Sequence, residues 1–130
     1  MAGFSDYLED KVLDHVFGGV AYTAPTTHYV ALYTVAPTDT GGGTEVTGGS
    51  YARQTSTFTV SGTSPTTATS AAAVEYPTAT ADYGTVVAVG IMDALTSGNL
   101  LAYANLDTSK VVSNGDVFRF DAGDLDITLA

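Results

Sequence analysis

A chain of 130 residues is long enough for one domain with a single hydrophobic core and too short for two. It carries 14 acidic residues against 4 basic ones, a net charge of -10, and nucleic acid and anionic membranes are therefore not expected partners, because binding either needs clustered Lys and Arg. The absence of Cys excludes a disulfide framework, and no apolar run is long enough to predict a membrane span.

The first part of the chain predicts one amphipathic helix, over residues 4–17. Ser5 is a good N-cap, and the acidic residues that follow it favour the positive end of the helix dipole. Leu8, Val12 and Val16 recur at helical spacing with Leu13 and Phe17 beside them, which predicts one apolar stripe. Because a helix of this length is not stable alone in water, we expect it to lie on the rest of the domain or against another molecule.

From Tyr22 onward the apolar residues change from a helical repeat to a two-residue repeat, and Thr, Val and Gly are abundant. Both features favour strands joined by turns. Residues 37–50, PTDTGGGTEVTGGS, predict a polar loop whose glycines make it flexible, and residues 61–70 predict a linker. The predicted strands cover residues 28–35, 51–60, 71–76, 85–92, 100–106, 116–120 and 124–129. The chain is therefore predicted to be all-β, a single domain over 1–130 with an Ig-like or jelly-roll-like β-sandwich over about 22–130.

Few residues offer catalytic or metal chemistry. Neither His15 nor His28 has a second His or a carboxylate at ligand spacing, so no metal site is predicted. Residues 121–126, DAGDLD, lack the order of an EF-hand loop and are expected to cap turns, with incidental calcium binding as the alternative. Since there is also no G-x-S-x-G motif, the sequence predicts no catalytic residue, no cofactor and no enzymatic activity.

Candidate contact residues are aromatic, apolar or cationic. The 8 Tyr suit interfaces, although each single ring is expected to lie in the core with its hydroxyl at the rim. Arg53 and Arg119 are rare cations on predicted strands, and each is expected to pair with an acidic residue of this chain or, alternatively, to anchor an interface. The predicted partner interface consists of Tyr7, Leu8, Lys11, Val12, Tyr51, Arg53 and Arg119.

Four segments together resemble a family of small tailed-phage virion proteins, commonly labelled tail fibre, minor tail or virion structural protein. The resemblance covers nearly the whole chain in the same order. The segments that carry it are FSDYLEDKVLDHVFGG, AYTAPTTHYVALYTVAPTDTGGGTEVTGGSYARQ, ATADYGTVVAVGIMDALTSGNLLAYANL and VVSNGDVFRFDAGDLDITL.

This resemblance implies a structural component of the virion, tail-associated or fibre-like, that acts by protein–protein assembly. Its expected partners are other virion proteins, and it is expected to form a homo-oligomer or to dock in multiple copies. One alternative is a capsid decoration or cement protein on the head exterior. Another is a host-surface carbohydrate-binding module that uses the 37–50 loop and exposed Tyr residues.

Overall fold

The computed structural model describes residues 3–129, so the ends of the predicted domain, residues 1, 2 and 130, lie outside the described residues. Within residues 3–129 there is one helix, α1, over Asp6–Val16. The strands of the same residues are β1 Gly3–Phe4, β2 His28–Val35, β3 Thr44–Glu45, β4 Gln54–Ser56, β5 Phe58–Ser61, β6 Thr66–Ser70, β7 Val74–Glu75, β8 Gly84–Met92, β9 Leu100–Val112, β10 Arg119–Phe120 and β11 Asp126–Leu129.

The strands form one large antiparallel sheet and two small ones, which confirms the prediction of an all-β sandwich with one helix. The large sheet has the order β1-β9-β8-β2-β3, with β4 also paired to β2. The small sheets have the orders β11-β6-β5 and β10-β7. Val30 and Leu32 of the large sheet share one core cluster with Val74, Phe120 and Leu125 of the smaller layer, so the small sheets pack on one face of the large sheet.

The opposite face of the large sheet carries a second, smaller apolar cluster. Ala31 and Tyr33, the residues that alternate with Val30 and Leu32 along β2, pack there with Ala88. All four of these β2 residues are at most 5% exposed. Strand β2 is therefore buried on both faces, as the apolar character of both alternating sets predicts.

Several strand boundaries differ from the sequence prediction, and the predicted loop at 37–50 contains the short strand β3, which pairs with β2. The predicted linker at 61–70 contains β6, which pairs with β5 on one side and β11 on the other. Its β-branched Thr residues suit a pleated surface even though few of its side chains are apolar. The predicted strand at 51–60 is divided, because β4 belongs to the large sheet and β5 to a small one. Strand β9 continues to Val112 instead of ending at 106.

The start of the helix also differs. Phe4 belongs to β1, which pairs with Ala102 and Tyr103 of β9, and α1 begins only at Asp6. Ser5 is the N-cap, as predicted, and its hydroxyl accepts a hydrogen bond from the backbone N–H of Leu8 at 3.3 Å. Within residues 3–129, no helix has the length and apolar character that crossing a membrane requires.

Candidate functional site

The outward side of α1 and the residues just after the helix carry four apolar side chains that are largely exposed. Leu13, Val16, Phe17 and Val20 are 59, 60, 82 and 57% exposed, and we call these four residues the apolar helix face. Leu13, Val16 and Phe17 lie at i, i+3 and i+4 and therefore share one side of the helix. Exposed apolar side chains that lie close together make this side of α1 a candidate contact surface.

One turn or two before the apolar helix face, the same side of α1 is acidic. Asp6, Glu9 and Asp10 are all exposed, and Glu9 and Asp10 precede Leu13 by four and three residues. They lie near the N-terminus of the helix, where carboxylates are favoured by the helix dipole. The outward side of α1 thus presents negative charge at one end and apolar side chains at the other.

The helix residues that the sequence analysis selected lie on the other side. Tyr7 and Leu8 are partly buried and pack against the main core, and Val12 is also partly buried. Lys11 places its Nζ 5.6 Å from the centre of the Tyr7 ring. The helix therefore has two apolar stripes, and Leu8 and Val12 belong to the one that attaches it to the sheet. Leu13, Val16 and Phe17 form the second, which the sequence predicts to be part of the same stripe as Leu8 and Val12.

Arg53 lies inside the molecule and holds three segments together. Its Nε and Nη2 donate to the two carboxylate oxygens of Glu45 at 2.9 and 2.8 Å, a bidentate ion pair. Its Nη1 donates to the backbone carbonyls of Ala94 and Ser97, both at 2.8 Å. Tyr51 donates its hydroxyl proton to the same Glu45 carboxylate at 2.6 Å. The structure thus shows the intramolecular pairing that was one of the two expectations for this arginine.

Arg119 also pairs within the chain, but at the surface. Its Nε lies 2.9 Å from Asp121 Oδ1 and its Nη1 3.4 Å from Glu75 Oε1, while half of its side chain, 51%, stays exposed. An exposed pair of this kind contributes little to stability. Contact of Arg119 with a partner protein stays a prediction.

The pairing of Glu45 predicts a specific dependence of stability on pH. Burial raises the pKa of the Glu45 carboxyl, but the hydrogen bonds from Arg53 and Tyr51 outweigh that effect and hold the pKa below its ordinary value of 4.5. A lowered pKa in the folded state adds stability that is fully present above pH 4.5 and is lost as the pH falls through the folded value. Urea unfolding of wild type and Glu45→Gln should therefore show a difference in free energy of unfolding that is largest at neutral pH and shrinks below pH 4.5.

The matched control for this experiment is Glu75→Gln, because the carboxylate of Glu75 is exposed and lies 3.4 Å from Arg119. Its free energy of unfolding should stay within about 0.5 kcal/mol of wild type at every pH. A Glu45→Gln difference that does not change between pH 7 and pH 3 contradicts the assignment of this carboxylate.

The tyrosines serve mainly the core. The rings of Tyr51 and Tyr76 stack with centroids 6.0 Å apart and planes 10° apart, and Tyr83 meets Tyr51 edge-on. Tyr76 donates its hydroxyl proton to the carbonyl of Val30 at 2.6 Å, and burial raises its pKa well above the ordinary value. Each of the eight tyrosines is at least partly buried. Carbohydrate binding through the tyrosines stays a prediction.

The residues considered for metal chemistry take structural roles. His15 accepts a hydrogen bond from the backbone N–H of Tyr22 at 3.1 Å, and the ring of His28 meets Phe58 edge-on. Asp124 accepts a hydrogen bond from the backbone N–H of Asp121 at 2.8 Å, which is the turn-capping role expected for this loop. Among the described residues, no three His, Asp or Glu side chains are placed to hold a metal ion.

Comparison with known proteins gives one family. No curated protein matches the chain. The family model described as podophage GP4 fiber I protein gp80 matches residues 3–128, which include α1 and nearly all of the sandwich. The chain therefore belongs to the podophage GP4 fiber I protein gp80 family and is a structural component of a tailed-phage virion.

Proposed function

We propose that this virion protein acts by assembly, and that the apolar helix face docks on a neighbouring virion protein of the tail. The observation that carries the proposal is the exposure of Phe17, 82%, beside Leu13 and Val16 on a helix with no buried residue. A partner that covers such a surface is stabilised on it, because each Å² of buried apolar area contributes about 25 cal/mol to the free energy of association. The fibre description of the family supports a position on the tail over one on the head exterior.

The charges on α1 indicate the chemistry of the partner surface. The acidic residues Asp6, Glu9 and Asp10 adjoin the apolar helix face, so a complementary surface is an apolar groove with Lys or Arg at one end. A second copy of this chain is a poor match, since it would bring together two molecules of net charge -10 that have only 4 basic residues each. The protein is therefore proposed to dock in multiple copies on a different virion protein, without catalysing a reaction.

Phages that carry Val16→Ser and Phe17→Ser together test the proposal. Losing the apolar side chains of the docking surface should lower the number of copies per purified particle at least tenfold, measured by quantitative mass spectrometry. The variant should stay folded, because both side chains are mostly exposed in the free protein. In wild-type particles, dozens of copies per particle support a position on the tail. Hundreds of copies support decoration of the head and contradict a tail position.

The matched control replaces two other exposed valines, Val35→Ser and Val60→Ser, which are 56 and 68% exposed and lie away from α1. Particles with this control should keep the wild-type number of copies. Normal incorporation of the folded helix variant, or an equal loss in both variants, rejects docking through α1.

A further inference from the structure

A second surface, independent of α1, lies between β9 and the last two strands. It is a groove of about 370 Å³, open to solvent on one side, between residues 103–110 of β9 and residues 118–127. Its floor is apolar and consists of core side chains, including Val89, Ile91 and Phe118. The volume of this groove is within the range of pockets that bind ligands. Because it runs along a strand and is open to solvent, it is a groove and not a closed cavity.

Strand β9 borders this groove with an edge that is only partly paired. On its outer side β1 pairs with Ala102 and Tyr103 alone. On its inner side, where β8 lies, the pairing passes from Asn105 to Lys110 across a register shift, so residues 106–109 form an irregularity in that ladder. On its outer side no described strand pairs with β9 beyond Tyr103. A strand edge of this kind presents backbone N–H and C=O groups that another extended segment can pair with.

Strand β11 borders the groove from the opposite side. Among the described strands it pairs only with β6, so its second edge is also free of a strand partner. Ile127 of β11 and Leu125 before it contribute apolar side chains to the groove. The groove thus has two strand borders and an apolar floor, which is the arrangement that accepts an added β-strand with side chains pointing alternately inward and outward.

The rim of the groove is negatively charged. Three carboxylates, Asp107, Asp124 and Asp126, line it against one ammonium group, that of Lys110. The Lys110 Nζ lies 5.9 Å from the centre of the Phe118 ring, and none of the three carboxylates takes part in an ion pair within residues 3–129. An occupant with positive side chains at its outward positions would neutralise this rim.

We propose that the groove accepts an extended segment of another virion protein, which adds to the edge of β9 as a strand. Apolar side chains of that segment fill the groove at alternate positions, and Lys or Arg side chains between them meet Asp107 and Asp126. The four basic residues of this chain are at least nine positions apart, so a second copy does not supply a segment with basic residues at alternate positions.

A synthetic peptide, acetyl-KVKVKVK-amide, tests this groove on the full-length chain. Its addition should shift the backbone amide NMR signals of residues 104–110 and 124–127 and slow hydrogen exchange at residues 106–109. The matched peptide acetyl-EVEVEVE-amide should bind at least fivefold more weakly, because it brings carboxylates to an acidic rim. Shifts centred on α1, equal affinity of the two peptides, or no binding at millimolar peptide would overturn the proposal.

Two double variants change the net charge by the same amount. Comparing them distinguishes the effect of the rim carboxylates on peptide affinity from the effect of the overall charge of the protein. Asp107→Asn with Asp126→Asn should weaken the lysine peptide at least threefold. Glu9→Gln with Asp10→Asn on α1 should leave its affinity unchanged. An equal weakening in both variants, or self-association of the chain through residues 104–110 in sedimentation experiments, would reject the proposed occupant.

Discussion

Replacing Arg53 with Ala should lower the free energy of unfolding by about 3 to 5 kcal/mol, which is the usual effect of removing one partner of a buried ion pair. The substitution leaves the Glu45 carboxylate, whose side chain is only 25% exposed, without its bidentate donor. It also removes the donor that holds the carbonyls of Ala94 and Ser97. The turn at 94–97 and the segment at 45–53 then lose their common attachment.

Equilibrium unfolding in urea measures this effect, and Arg119→Ala is its matched control. Arg119 pairs with the carboxylates of Glu75 and Asp121, but half of its side chain is exposed. Its loss should therefore change the free energy of unfolding by less than about 1 kcal/mol. If the two variants lose the same stability, the cluster around Arg53 has no special structural role.

Gly43→Ala should lower the free energy of unfolding by about 2 to 4 kcal/mol. Gly43 has φ +74°, a left-handed conformation that an L side chain adopts at a cost of about 1 kcal/mol or more. In addition, a Cβ atom at this position would lie 2.6 Å from the carbonyl oxygen of Val35 and 2.8 Å from the nitrogen of Pro37. Both are backbone atoms, so the collision requires the backbone to move, which adds about 1 to 3 kcal/mol.

Gly42→Ala is the control for Gly43, because it has a similar φ of +77° and nothing within 4 Å of the added Cβ. Its loss of stability should be about 1 kcal/mol, from backbone conformation alone. Equal melting temperatures for the two variants would show that the close approach to Val35 is unimportant. The glycines of this loop are predicted from sequence to make it flexible, whereas at Gly43 the structure shows a steric requirement.

The parts of the fold that the sequence predicts correctly are those with strong periodicity. Strand β2 has apolar residues in both alternating sets, and residues 117–120 alternate so that Phe118 and Phe120 are buried while Val117 and Arg119 are exposed. These patterns follow from the two-residue repeat of a strand, which is a local property. The N-cap at Ser5 is equally local and is found where predicted.

What the sequence does not predict depends on distant partners. Strand β6 exists because β5 and β11 pair with it from both sides, and its own Thr-rich residues carry no strong apolar pattern. Likewise, the burial of Arg53 depends on carbonyls more than 40 residues away at Ala94 and Ser97. Which of the two stripes of α1 faces the sheet depends on how β1 positions the helix. No local sequence pattern determines that position.

The pairing of β1 with β9 also orders events on the ribosome. Gly3 and Phe4 pair with Tyr103 and Ala102, so the strand next to α1 has no partner until about one hundred further residues have been translated. At roughly 5 to 20 residues per second, this interval lasts about 5 to 20 s. During it α1 lacks the attachment that β1 makes to the large sheet. A newly made copy can therefore hold Phe17 in its final position only after Ala102 and Tyr103 have been synthesised.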